Sequence, residues 1–255
     1  MTYSAAAAWQ TDIGPRNIMQ DNVLVGSGEG AVPFVVVADG VGSVPGSEIA
    51  ALLAVDTFAS AAKMVNETGD IADAMLTIVD NVAARLSSEG SRVGSTTLAG
   101  AVVDESGRLW ITNVGDSTVA VFTESGLVLS TRPHNQAEDA RVSGSTDPEE
   151  LAATHVLTRA VRATTRPIGA DVTLMRIREP TVVVAATDGV TGKLSLQEIY
   201  REVFPVDSAV APTLSDAQCW SEECARRIMH SARGRRLDDN AAVAVMAILP
   251  FERGE

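Results

Sequence analysis

Basic side chains are in short supply in this chain: 20 lysines and arginines stand against 33 aspartates and glutamates, a formal net charge of −13 over 255 residues. With a pI near 4.7, the molecule lacks the cationic footprint that a phosphate backbone demands, which excludes nucleic acid as the expected partner. Cysteine is nearly absent as well. The two present, Cys219 and Cys224, have neither CxxC spacing nor a histidine nearby. Reduced structural thiols are therefore a simpler reading than a redox or metal role. No stretch reaches the roughly 18 apolar residues of a membrane span. The run Ala5 to Ala8 lacks the basic leader and the length of a signal peptide. A cytoplasmic protein without a membrane partner is expected.

What the chain does have is hydrophobic strands that end in aspartate. Hydrophobic residues make up 45% of the sequence, enough for one large domain, 1–255, with a substantial core. In Phe34-Val35-Val36-Val37-Ala38-Asp39-Gly40-Val41-Gly42-Ser43, apolar β-formers follow one another without alternation, as in a strand buried on both faces. Asp39 then stands at the lip of the core, beside glycines that let the backbone turn and approach a ligand closely. The same grammar recurs in Val182 to Gly189, delivering Asp188, and more loosely in Ile111 to Ser117, delivering Asp116. Leu237-Asp238-Asp239-Asn240 precedes a last apolar run, Ala241 to Leu249, while Arg16 and Asp21 precede an early one. Aspartates this far apart can meet if their strands are neighbours in one packed sheet system.

Taken in order, strands are expected over Tyr3 to Gln10, Asn22 to Val25 and Val32 to Ala38, with a turn at Gly26 to Gly30. Helical spacing follows, with Ile49, Leu52, Leu53, Val55, Phe58 and Ala62 in one helix, and Ile71, Met75, Ile78, Val82 and Leu86 in a second after Gly69. Ser95 to Val103, Leu109 to Val114, Val119 to Phe122 and Leu127 to Leu129 read as a meander, with hairpin turns at Glu105-Ser106-Gly107 and Glu124-Ser125-Gly126. From Ser130 to Thr165 the chain is polar and irregular around a short helical piece, a candidate flap. Strands at Val172 to Ile177 and Thr181 to Ala186, helices near Ser195 to Val203 and Asp216 to Ala232, and a final strand complete the chain. His155 and His230 fall in helical stretches. Strands, helices, strands and helices again suggest two sheets with helices outside, not a doubly wound parallel sheet.

The ordered set Arg16-x-x-x-x-Asp21, Ala38-Asp39-Gly40-Val41-Gly42, Gly94-Ser95-Thr96-Thr97, Gly115-Asp116-Ser117, Thr187-Asp188-Gly189 and Asp239-Asn240 resembles the metal-dependent serine/threonine protein phosphatases, the PPM family of type 2C, and among them a bacterial stand-alone catalytic domain. The resemblance runs from about Asp12 to Leu249. It implies an α+β fold, a four-layer α-β-β-α sandwich of two antiparallel sheets flanked by helices. It also implies two Mn²⁺ or Mg²⁺ ions, with a third, weaker one. By motif, Asp39 would bridge both ions and the Gly40 carbonyl would bind one. Asp188 and Asp239 would complete a site, Asp21 would serve the other, Asp116 would hold the third ion, and Arg16 would hold the substrate phosphate. A water bridging the ions would attack phosphoserine or phosphothreonine directly. The partner would be a phosphorylated protein, the product of a serine/threonine kinase, and the enzyme a monomer.

The residue types suit that chemistry without the family name. Hard cations want carboxylate, carbonyl and water oxygens. Converging carboxylates repel one another unless cations neutralise them. Arginine binds two phosphate oxygens with one planar fork. Each residue also has a plainer reading: strand-end Asp-Gly pairs make turns, Asp116 can cap a turn, Arg16 can be a surface side chain, and Asp12 and Asp238 can be supporting or surface carboxylates. His134 reads as structural, and Gly94 to Thr97 as the opening of a strand packed behind the site.

The chain departs from the family pattern in several places. Val41 and Val44 occupy the places where many members carry a proton-donating histidine. Met19 and Gln20 replace a common Asn-Glu, Ser43 a common glycine, and Thr118 a common arginine, while the segment 130–165 matches least. The alternative function is a pseudophosphatase that binds phosphoproteins without turnover. A third reading, an aspartyl-phosphate hydrolase of the haloacid dehalogenase type, has little support, because its Asp-x-Asp nucleophile motif is missing: Asp39 is followed by Gly40 and Val41.

Overall fold

The structure, a computed structural model, describes residues 2–27, 32–42, 44–68, 71–90, 93–164, 166, 168–205 and 217–251. Gly28 to Gly30 of the expected turn, together with Ser43, Gly69, Thr165 and Asp216, lie outside the described residues.

The chain opens with β1 (Thr2–Asp12), β2 (Asp21–Gly26) and β3 (Phe34–Asp39), followed by helices α1 (Ser47–Thr68) and α2 (Ile71–Ser88). Five strands come next: β4 (Ser95–Thr96), β5 (Leu98–Val103), β6 (Arg108–Val114), β7 (Thr118–Thr123) and β8 (Gly126–Ser130). A linking stretch carries α3 (Gln136–Ser143), α4 (Pro148–Ala152) and β9 (Val161–Arg162). The rest is β10 (Asp171–Arg176), β11 (Thr181–Ala186), α5 (Asp188–Thr191), α6 (Leu196–Val203), α7 (Ala217–Gly234) and β12 (Ala241–Phe251). The strands build two five-stranded antiparallel sheets, ordered β1-β12-β11-β7-β8 and β10-β6-β5-β3-β2, with β4 and β9 forming a small separate pair.

Burial on both faces explains the unbroken apolar runs. Val35 and Val37 of β3 turn inward to meet Val121, Val183, Ala244 and Met246 of the facing sheet. Phe34, Val36 and Ala38 turn outward and pack under α1 and α2, against Phe58, Met75 and Ile78. Across the molecule, Val182, Val184 and Val245 face outward onto Ile228 and Met229 of α7. The result is the expected α-β-β-α sandwich of two antiparallel sheets, in which central strands such as β3, β5 and β11 have no solvent face and so need no polar alternation.

Three expectations need correction. The stretch Ser95 to Leu129 is no single meander: β5 pairs with β6 in one sheet, and β7 with β8 in the other. The chain crosses between sheets at Gly115-Asp116-Ser117, where Gly115 takes φ +105°. The segment 130–165 holds two helices and a short strand, not one helical piece. His155 lies in a turn after α4, because the helix ends at Ala152. His230 is in α7 as expected. No helix among the described residues is long and apolar enough to cross a membrane.

Candidate metal centre

The aspartates collect at one end of the sandwich, and the register explains how. Asp21 opens β2 directly opposite Asp39, which closes β3. Thr97 ties Asp39 down from the neighbouring strand: its hydroxyl accepts from the Asp39 amide at 2.9 Å, and its amide donates to the Asp39 carbonyl at 2.8 Å. Thr96 donates its hydroxyl to the same carbonyl at 2.9 Å. Gly94 to Thr97 therefore does more than pack, because it fixes the backbone of the strand end. At position 40 a Cβ would lie 2.6 Å from the Ser47 carbonyl oxygen. Glycine is required there by the close approach of α1, whereas the sequence suggests room for a ligand.

From the other sheet, Asp188 begins α5 just after β11, and Asp116 sits on the crossing between sheets. Asp39, Asp116 and Asp188 each place a carboxylate oxygen within 4.8 Å of the others. Asp21 is 4% exposed and accepts from the Thr187 hydroxyl at 2.7 Å. Asp239 stands at the rim, where Arg16 Nη2 donates to its Oδ2 at 2.7 Å. Asp21, Asp39, Asp116, Asp188 and Asp239 thus share one end of the molecule. The tightest group includes Asp116, which the resemblance reserves for a third ion. Gly40 lies beside Asp39 in a bridge to Thr96.

Burial sets the electrostatics. It is the largest cause pushing Asp21 up to about 7, with the Thr187 hydroxyl opposing it and the charges of Asp188 and Asp239 adding to it. Burial, then Asp188, pushes Asp116 up to about 7. Asp39 is raised well above the usual carboxylate range by burial and then by Asp21 and Asp188, and Asp188 is raised chiefly by burial. Four carboxyls held this way resist ionising together unless cations join them. The donor set fits hard divalent ions, being all oxygen. In addition, Asp116 Oδ1 is buried without a hydrogen-bond partner, a state that a cation would relieve.

Two polar residues inside the motifs do work that the sequence does not assign. Thr187, fully buried, donates to Asp21 and accepts from the Ala242 amide at 2.9 Å, coupling the two sheets. Asn240 accepts from the Gln20 amide at 2.7 Å and donates to the Ile13 carbonyl at 2.8 Å, anchoring the loop that carries Arg16. The signal for both is a polar side chain at the end of a strand buried on both faces. Asp12 pairs with Arg233 and Asp238 with Lys193, so both are supporting or surface groups. Cys219 is exposed and Cys224 buried, and both are free. A cleft of about 1050 Å³ opens over the cluster, bordered by Arg16, Asp239 and Lys193 and, from the 130–165 segment, by Pro133, Arg141 and His155.

The fold of paired antiparallel sheets flanked by helices is shared with solved bacterial serine/threonine phosphatases. The Streptococcus agalactiae serine/threonine phosphatase superposes with a TM-score of 0.75 at 21% identity, over 95% of this chain and 98% of that one. The catalytic domain of the phosphatase PstP, solved in complex with two manganese ions, gives a TM-score of 0.75 at 18% identity, over 98% of this chain and 100% of that one. Protein phosphatase 2C homolog 7, mitochondrial, of Saccharomyces cerevisiae is 30% identical over 132 residues, which are 52% of this chain and 38% of that protein. The family model for protein phosphatase 2C matches residues 14–228. The chain belongs to the protein phosphatase 2C family, whose members are protein-serine/threonine phosphatases.

Proposed function

We propose that this chain hydrolyses phosphoserine and phosphothreonine in proteins, using two Mn²⁺ or Mg²⁺ ions held by Asp21, Asp39, the Gly40 carbonyl, Asp188 and Asp239, with Asp116 holding a third, weaker ion. The observation that carries this reading is the convergence of Asp39, Asp116 and Asp188 within 4.8 Å, with a buried Asp116 oxygen left unpartnered. When bound, the ions would supply Lewis-acid polarisation of the phosphoryl group and would lower the pKa of a water, making hydroxide available as the nucleophile near neutral pH so that no phosphoenzyme is needed. The chain's own part is positioning. Thr97 and Thr187 fix the Asp39 backbone and the Asp21 carboxylate, so that the cluster keeps its shape. Arg16 spends one nitrogen on Asp239 and has donors left in its fork for two phosphate oxygens. The manganese in PstP supports the choice of ion.

We also read residues 1–255 as one phosphatase domain, with about 130–165 as its flap over the cleft. The reading extends to a bacterial, cytoplasmic monomer that opposes a serine/threonine kinase. Hydrolysis of p-nitrophenyl phosphate and a phosphothreonine peptide, measured with EDTA, Mg²⁺ or Mn²⁺ in wild type and in Asp188→Ala, tests the activity. Metal-dependent turnover lost in Asp188→Ala is expected. Folded protein that binds Mn²⁺ and turns over neither substrate would overturn it.

A further inference from the structure

We propose that His134 is a positioning residue for Asp116, gripping the Gly115 peptide from both sides and thereby fixing where the Asp116 carboxylate stands; the inference rests on the reading of Asp116 as a metal ligand. The His134 amide donates to the Gly115 carbonyl at 2.9 Å, and the Gly115 amide donates to His134 Nδ1 at 3.1 Å. An accepting Nδ1 puts the ring proton on Nε2, which donates to Asp171 Oδ2 at 3.1 Å. Arg159 Nη1 holds the other Asp171 oxygen at 3.1 Å. Asn113 adds an amide hydrogen to the Gly115 carbonyl at 3.3 Å.

Two facts give this grip a purpose beyond packing. Asp116 Oδ1 has no hydrogen-bond partner, so its carboxylate is aimed by the backbone that carries it. Gly115 has φ +105°, and a Cβ there would strike Thr97 at 2.5 Å, so the peptide fits in one pose between Thr97 and His134. The imidazole itself is 3% exposed, yet both of its nitrogens are spent on polar contacts, one of them a single residue from Asp116. Arg159 and His134 both belong to the 130–165 segment, with Asp171 bridging them, so that segment is tied through His134 to the backbone beside Asp116.

The test is a double-mutant cycle, read by calorimetric Mn²⁺ titration and by the Mn²⁺ concentration that half-activates p-nitrophenyl phosphate hydrolysis. His134→Ala is expected to raise that concentration about tenfold, the usual loss when a partner orienting a ligand is removed, with KM for the phosphate ester unchanged. Asp116→Ala should do the same, and the double variant should be no worse than Asp116→Ala. His134→Asn, whose carbonyl oxygen can stand near the Nδ1 position, should recover most of the loss. It also serves if His134→Ala fails to fold. A lower melting temperature with an unchanged Mn²⁺ profile, or a His134→Ala loss that adds in full to that of Asp116→Ala, would overturn the proposal. A wild-type Mn²⁺ profile in Asp116→Ala would overturn the ligand role of Asp116 as well, which separates the two failures.

Discussion

Thr187 carries no charge, yet two sheets and one candidate ligand depend on its hydroxyl. In Thr187→Val the Asp21 oxygen and the Ala242 amide lose their partner in a buried place. Each unsatisfied buried group costs about 1–3 kcal/mol, so chemical denaturation should show a loss of at least that size, while Thr187→Ser should remain near wild type. The charged residues divide by kinetic constant. Asp39→Ala removes the carboxylate shared by the cluster and should abolish metal-dependent turnover. Arg16→Ala should raise KM for a phosphopeptide roughly tenfold, the worth of a charged hydrogen bond, with kcat changed far less. Steady-state kinetics at saturating Mn²⁺ distinguishes the two, and an unchanged KM would remove the phosphate role from Arg16.

The strands were the most legible elements, because side chains buried on both faces leave short valine-rich runs bounded by turn residues. The Thr181 to Ala186 strand is found where the sequence places it, and the Phe34 to Ala38 run lies within its expected strand. The division of strands between sheets was not legible. Gly115-Asp116-Ser117 has the composition of a hairpin turn, and a local turn signal does not say whether the next strand pairs with the last one or crosses to another sheet. The four-residue α5 is too short to show a helical period. The aspartates themselves were readable, since each stands at or just beyond one end of a strand, but the side chains that hold them were not. Thr97, Thr187 and His134 act through long-range contacts that no spacing encodes. Gly40 shows the same limit: its need is steric and comes from Ser47 across a turn. Gly40→Ala should therefore destabilise by about 1–3 kcal/mol through overpacking, lowering the melting temperature by a few degrees in a chain of this size.

For the whole molecule, the carboxylate cluster makes stability depend on pH and metal together. Asp21 and Asp116 move from an ordinary value of 3.8 to about 7 in the folded protein, so the folded state binds these protons more tightly than the unfolded state. Their stabilising contribution is complete below 3.8 and is lost as pH rises through about 7. After EDTA treatment the melting temperature should fall over this range. Mn²⁺ at a hundred times its dissociation constant should restore about 2.7 kcal/mol near neutral pH, or roughly 5–10 °C, with protons released on binding. Scanning calorimetry at stepped pH, with and without Mn²⁺, checks the sign. An EDTA-treated protein whose stability rises between pH 4 and 7 would contradict it.

The most direct measurement is an anomalous-difference map from crystals soaked in Mn²⁺. The expected result is manganese density among Asp21, Asp39 and Asp188 at the sheet ends, with a weaker peak at Asp116. Saturating Mn²⁺ that leaves no peak at these carboxylates would contradict the metal centre and, with it, the mechanism built on it.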